Sequence, residues 1–257
     1  MMSDCGDWRP LAPFLEEIRI AKRRIDSGMI QRIVRKAGEG GQQEPVLDVL
    51  RRVERIGVGL WDVEVAREVA WAGLETAVRG EWGEKALKKA VVYAKVVEEM
   101  LFEQRHDTKQ PGWMHPRSKP EVLAVLVLLR AALLLKYPEA EAAAGSGKEV
   151  ERLAGLMLKG LEGSGTEMRF EGEDWVRANY LLCIWAPVWH ASRLASRIMG
   201  AEAPVARSLA EKMDTDLRPL IEKCEATIKR HGTGKPRRGL NMLRDLEGAY
   251  TLSNAGL

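Results

Sequence analysis

Strand signals are almost absent from this sequence. No run of alternating β-branched residues is bounded by Asn-Gly or Asp-Gly, which argues against a sheet-based fold. Cysteine is scarce too: Cys5, Cys183 and Cys224 are an odd set of three with no CxxC spacing. That speaks against a disulfide framework and for a reducing compartment. Long apolar runs are missing as well. The longest, 122–135, is interrupted by Arg130 and falls short of the roughly 20 residues that span a bilayer. It reads as a central buried helix, and no membrane partner is expected. Nor is there an excess of one charge, with 40 basic against 37 acidic residues and a net charge of +3. Bulk electrostatics therefore predict neither a nucleic-acid binder nor a membrane-surface protein, and any preference must come from local patches. The opening segment MMSDCGDWRP is acidic and has no apolar stretch, so it does not read as a secretory signal. Glu16, Glu17 and Asp26 break up the basic stretch that follows, which argues against a transit peptide. The expected location is the cytoplasm or nucleus.

What the sequence does contain is helical periodicity. The chain has 257 residues, 46% apolar and 30% charged, enough for one helical domain with a sizeable core. The predicted fold is all-α, with antiparallel helix pairs packed as a bundle or a short solenoid. A basic N-terminal helical segment covers 8–36, its apolar stripe running through Leu15, Ile18, Ile25, Ile30 and Val34, with a break at Asp26-Ser27-Gly28. A helix-pair array covers 45–231, with helices expected over 45–56, 61–78, 84–103, 121–136, 149–161, 173–199 and 204–231. Pro187 and Pro219 predict kinks in the last two. The segment 105–120 carries three prolines and a glycine and reads as a loop. A basic break and a final helix occupy 232–257.

Trp71, Leu74 and Ala77, then Gly80-Glu81-Trp82 and Glu84-Lys85-Ala86-Leu87, resemble a tetratricopeptide unit over about residues 71–103. In that family an aromatic and a leucine on the first helix meet a glycine turn and a Lys-Ala-Leu start to the second. Here the spacing between the helices is two residues short, and no proline ends the second helix. The resemblance implies a helix-pair scaffold that binds a peptide or partner protein on its concave face.

Motifs for chemistry are wanting. AAAGSGKE at 142–149 has Ala142 and Glu149 where a phosphate loop needs glycine and Ser or Thr. Glu103 and His106 form one ExxH step, but the second step of a di-iron bundle is missing. Cys183 with His190, and Cys224 with His231, sit two turns apart, and no GxSxG or HExxH is present. No metal site and no cofactor are expected.

The candidate binding residues are Arg177, Asn179, Tyr180, Trp185, Trp189 and His190 on one helix, with Arg130 on the apolar helix. Polar groups beside aromatics need partners if they are buried. Trp113, in the loop with His106, Asp107 and His115, is a further candidate anchor. The basic segment KRHGTGKPRR supplies Lys229, Arg230, Lys235, Arg237 and Arg238 for phosphates, with no aromatic between them in sequence. The leading reading is a non-catalytic scaffold or adaptor that holds a protein or peptide partner in a groove between 121–136 and 173–199. An RNA-binding helical array, and an all-α enzyme with an unrecognised pocket, are the alternatives.

Overall fold

A computed structural model describes residues 7–107, 115–141, 146–164, 168–231 and 237–251. Thirteen α-helices lie within them. These are α1 (Leu11–Ile20), α2 (Ser27–Glu39), α3 (Gln43–Arg51), α4 (Val53–Ile56), α5 (Val63–Arg79), α6 (Glu84–Phe102), α7 (Pro120–Lys136), α8 (Pro138–Glu141), α9 (Ser146–Gly163), α10 (Trp175–Met199), α11 (Pro204–Lys212), α12 (Arg218–His231) and α13 (Arg238–Thr251). The fold is all-α, with no strand among the described residues.

The organising element is α7. Every residue from Pro120 to Leu133 is buried, as a helix apolar on all sides requires. It packs against α5, α6, α9 and α10. These are its neighbours on either side in the chain, a packing common to a bundle and a short solenoid. The hydrophobic core is one continuous cluster, from Leu11 on α1 to Ala249 on α13. Among the described residues no helix is long and apolar enough to cross a membrane.

Local chemistry sets the helix starts. Asp26, Asp62 and Asp174 each accept backbone N–H bonds in the first turn of α2, α5 and α10, satisfying donors that have no partner within the helix. Pro120 and Pro204 occupy first turns, where a missing N–H costs nothing.

The stretch resembling a tetratricopeptide unit forms a hairpin of α5 and α6. Its turn is tight. A Cβ on Gly80 would stand 2.2 Å from the Ala86 Cβ, and Trp82 adopts a φ of 59° while its ring is buried.

The two expected kinks resolve differently. α10 runs through Pro187 unbroken. The single helix expected over 204–231 is instead α11, a π-helical turn at Met213–Leu217 and α12. Pro219 has no N–H to offer the Thr215 carbonyl and its ring crowds that group, and the wider turn just before it absorbs both effects. The expected loop at 105–120 is bounded by short 3₁₀ turns, Gln104–His106 and Pro116–Ser118.

Candidate functional site

A cluster of charged and aromatic side chains gathers where α2, α5, α10 and α13 meet. Arg67, Glu68 and Trp71 lie on one stretch of α5 and are all buried. Glu68 is 2% exposed and accepts from Arg35 of α2 and from Arg238 of α13. Burial pushes its carboxyl up, but the hydrogen bonds from Arg238 and Arg35 prevail and hold it below the usual carboxylate range. The Arg238 guanidinium also lies over the Trp71 ring, 4.4 Å from its centroid. Arg67 lies over Trp71 at 5.2 Å and over Tyr180 of α10 at 5.3 Å, and it pairs with Glu64. The Tyr180 hydroxyl donates to Glu64 at 2.8 Å. Beside this group, Arg237 stacks on Trp175, 3.7 Å from the ring centroid. Two guanidiniums of the basic segment thus find aromatic faces in space that the sequence does not place beside them. Such contacts are worth about 0.5–2 kcal/mol each.

α13 is seated closely here. The Gly239 N–H donates to the Asn179 side-chain oxygen at 3.0 Å. A Cβ on Gly239 would lie 2.6 Å from the Asn179 carbonyl oxygen, so only glycine admits this approach.

The remaining predicted residues fall into three settings. Trp185 and His190 are in the core, and α7 and α10 pack directly on one another, so neither side chain offers surface to a partner in this conformation. Burial pushes the His190 imidazole down to about 3, with Arg193 adding to it. Trp189 is half-buried, edge-on to His190 and under Arg193. Arg130 is buried and paired with Glu98 of α6, which also holds Arg152 of α9. Arg177 and Tyr180 are exposed, as are Lys229 and Arg230 at the end of α12. Trp113 and Lys235 lie outside the described residues. In the loop that carries Trp113, His106 is buried and accepts from the Leu60 N–H, while His115 faces Asp107 at 2.9 Å.

Sequence pattern alone does not single out Arg35, Arg67, Glu68, Trp71 and Trp175 as site residues. For two of them a signal exists. Arg67 and Glu68 interrupt the apolar run of α5, and buried charges must be paired.

The profile of the family described as "Mrp13: Mitochondrial ribosomal protein mS27" matches residues 1–245. The chain belongs to the mitochondrial ribosomal protein mS27 family. No individual curated protein matches it. Membership in the mS27 family overturns the cytoplasmic or nuclear location and points to the mitochondrial matrix. The cytoplasmic or nuclear expectation rests on scarce cysteine, which suits any reducing compartment, and on Glu16, Glu17 and Asp26 read as evidence against a transit peptide, a reading the family match overrides. The family that covers the chain is also not the tetratricopeptide one, whose likeness is confined to the α5–α6 hairpin.

At the α5–α10–α13 face, Glu64 is held by Arg67, and Glu68 by Arg35 and Arg238. The buried Cys183 thiol below it is pushed up to about 11 by desolvation, which keeps it protonated and unreactive near neutrality.

Proposed function

We propose that this protein is a non-catalytic structural component of the mitochondrial ribosome that holds protein and RNA partners on its outer surface. The observation that carries this reading is the mS27 family match over residues 1–245. The interior supports it. Cys183 and Cys224 are both pushed up to about 11 by burial and His190 is pushed down to about 3, so none of them serves as nucleophile or base near neutral pH. The continuous core from Leu11 to Ala249 supports a single domain.

The adaptor aspect of the reading, a groove for a protein partner, has its best support in a cleft of about 460 Å³ between α2, α5 and α13. Leu74, Val78, Met242 and Leu246 give it apolar surface, and Glu39, Glu75 and Asp245 give it carboxylates. RNA contact is supported by the basic segment, where Lys229 and Arg230 are exposed and Arg237 and Arg238 lie on aromatic rings.

The test is sedimentation of tagged protein from a mitochondrial lysate on a sucrose gradient. Migration with ribosomal particles, and release after ribonuclease digestion of those particles, is the expected result. Protein that stays at the top of the gradient while the particles are intact refutes the reading.

A further inference from the structure

The exposed stripe at the start of α10 stands beside the arginine–aromatic cluster, tied to α5 through Tyr180, whose hydroxyl donates to Glu64, while Val176 and Arg177 face outward. Val176 is 56% exposed and Tyr180 45%, and Arg177 is exposed between them. At spacings of three and four residues, these side chains share one helical face. Arg67 already covers some of the Tyr180 ring, so the exposed area of that ring is what Arg67 leaves open. Inward from it, Arg67 and Arg238 both lie over Trp71. The stack of rings and guanidiniums thus ends at the surface on an open tyrosine.

We infer that Tyr180 is a stacking platform for an unpaired RNA base, with Arg177 taking the adjoining phosphate. This rests on the ribosomal reading above. An aromatic face takes a base only when that base is splayed out of a helix, which selects single-stranded RNA over duplex. Residues three apart on a helix stand about 5–6 Å apart at Cβ, so a base on the ring leaves its own phosphate within reach of the Arg177 guanidinium. Of the five guanidiniums that gather at this junction, those of Arg35, Arg67, Arg177, Arg237 and Arg238, Arg177 is the exposed one, and the cleft on the α2 side also carries Glu39, Glu75 and Asp245. Glu64 is held by Arg67 and Tyr180, and Glu68 by Arg35 and Arg238. Asp174 accepts from the Val176 and Arg177 N–H groups, and Glu173 faces His231. Arg177 has no carboxylate within ion-pair distance among the described residues.

The experiment uses the full chain and a mixed-sequence single-stranded RNA of about twelve nucleotides, with the duplex of the same sequence as competitor. Tyr180→Ala is expected to weaken single-strand binding between about five-fold and a hundred-fold, the range of one base–aromatic stack. Tyr180→Phe keeps the ring and restores affinity. Arg177→Gln lowers the dependence of log affinity on log salt by about 0.7. Ultraviolet crosslinking of intact mitochondrial ribosomes with the wild-type chain, which needs no variant to fold, is expected to place the RNA adduct on the peptide around Tyr180. Equal binding by Tyr180→Ala, preference for the duplex, or a crosslink from this stripe to a protein overturns the placement while leaving ribosome association intact. Failure of the wild-type chain to sediment with ribosomes is the separate failure of the ribosomal reading.

Discussion

Arg238 reaches back across 170 residues of sequence to bracket Glu68, donating to one carboxylate oxygen at 2.8 Å and to the other at 2.9 Å. The pair fastens α13 to α5, and Arg35 brings α2 to the same carboxylate. Removing one partner of a buried ion pair leaves the other charge desolvated, a loss of about 3–5 kcal/mol. Glu68→Ala leaves two guanidiniums that are 36% and 28% exposed and partly reached by water, and is expected at the lower end of that range. Chemical denaturation measures the loss, and limited proteolysis is expected to release α13 first. A loss below about 1 kcal/mol would mean that the arginines find water as readily as they find Glu68.

A second shared carboxylate makes a graded prediction. Glu98 holds both Arg130, which is buried, and Arg152, which is largely exposed. Arg152→Ala removes a surface partner and is expected to cost at most about 1 kcal/mol. Glu98→Ala uncovers a charge inside the core and is expected to cost about 3–5 kcal/mol. The double variant Arg130→Met with Glu98→Leu replaces the pair with apolar volume and is expected to regain most of that loss. Thermal melts of the three proteins order them. Equal melting of the two single variants would contradict the burial argument.

Much of the architecture was legible because its signals are local. The all-round apolar run at 122–135 announces a central helix, and α7 is one. Asp26 marks the break between α1 and α2 and also caps α2. The site was legible only in pieces. Arg177 and Tyr180 could be picked from α10, and Arg237 and Arg238 from the basic segment. Arg67, which lies over Tyr180, and Glu68, which holds Arg238, come from α5, 113 residues before Tyr180 and 170 before Arg238. No helical period carries that information. The same limit explains Trp185 and His190. A helix's own pattern shows that its faces differ, but not how many of them its neighbours cover, and α10 packs against α7, α9, α11, α12 and α13.

Acid sensitivity is expected to have one identifiable source in the core. Burial holds the His190 imidazole neutral down to about pH 3, against an ordinary value of 6.5. In the unfolded chain it binds a proton below pH 6.5, and in the folded chain it does not until about pH 3. Stability is therefore complete above pH 6.5 and falls steadily between 6.5 and 3. His190→Gln has no such proton to bind and is expected to flatten this region of the profile. The difference between wild-type and variant denaturation free energies across this window isolates the imidazole from the carboxylates, which titrate in both. A difference that does not change with pH would show that His190 becomes protonated in the folded protein.

The alkaline side has its own marker in Lys136, at the end of α7. Its ammonium lies over the buried Trp82 ring, 5.8 Å from the centroid, near the carbonyls of Trp82 and of Gly248 on α13. Burial lowers its pKa from 10.5 to about 8. Below pH 8 the group is charged whether the chain is folded or not, and the folded state carries the full desolvation cost. Between pH 8 and 10.5 the folded protein sheds the proton while the unfolded chain keeps it, so this residue makes stability rise with pH. Lys136→Met, which keeps the apolar stem without the charge, is expected to melt higher than wild type at pH 7. It is also expected to lose the gain seen on going to pH 9.5. Melting curves at the two pH values decide the matter. A variant that melts lower at pH 7 would show that the contacts with Trp82 and α13 outweigh the cost of burying the charge.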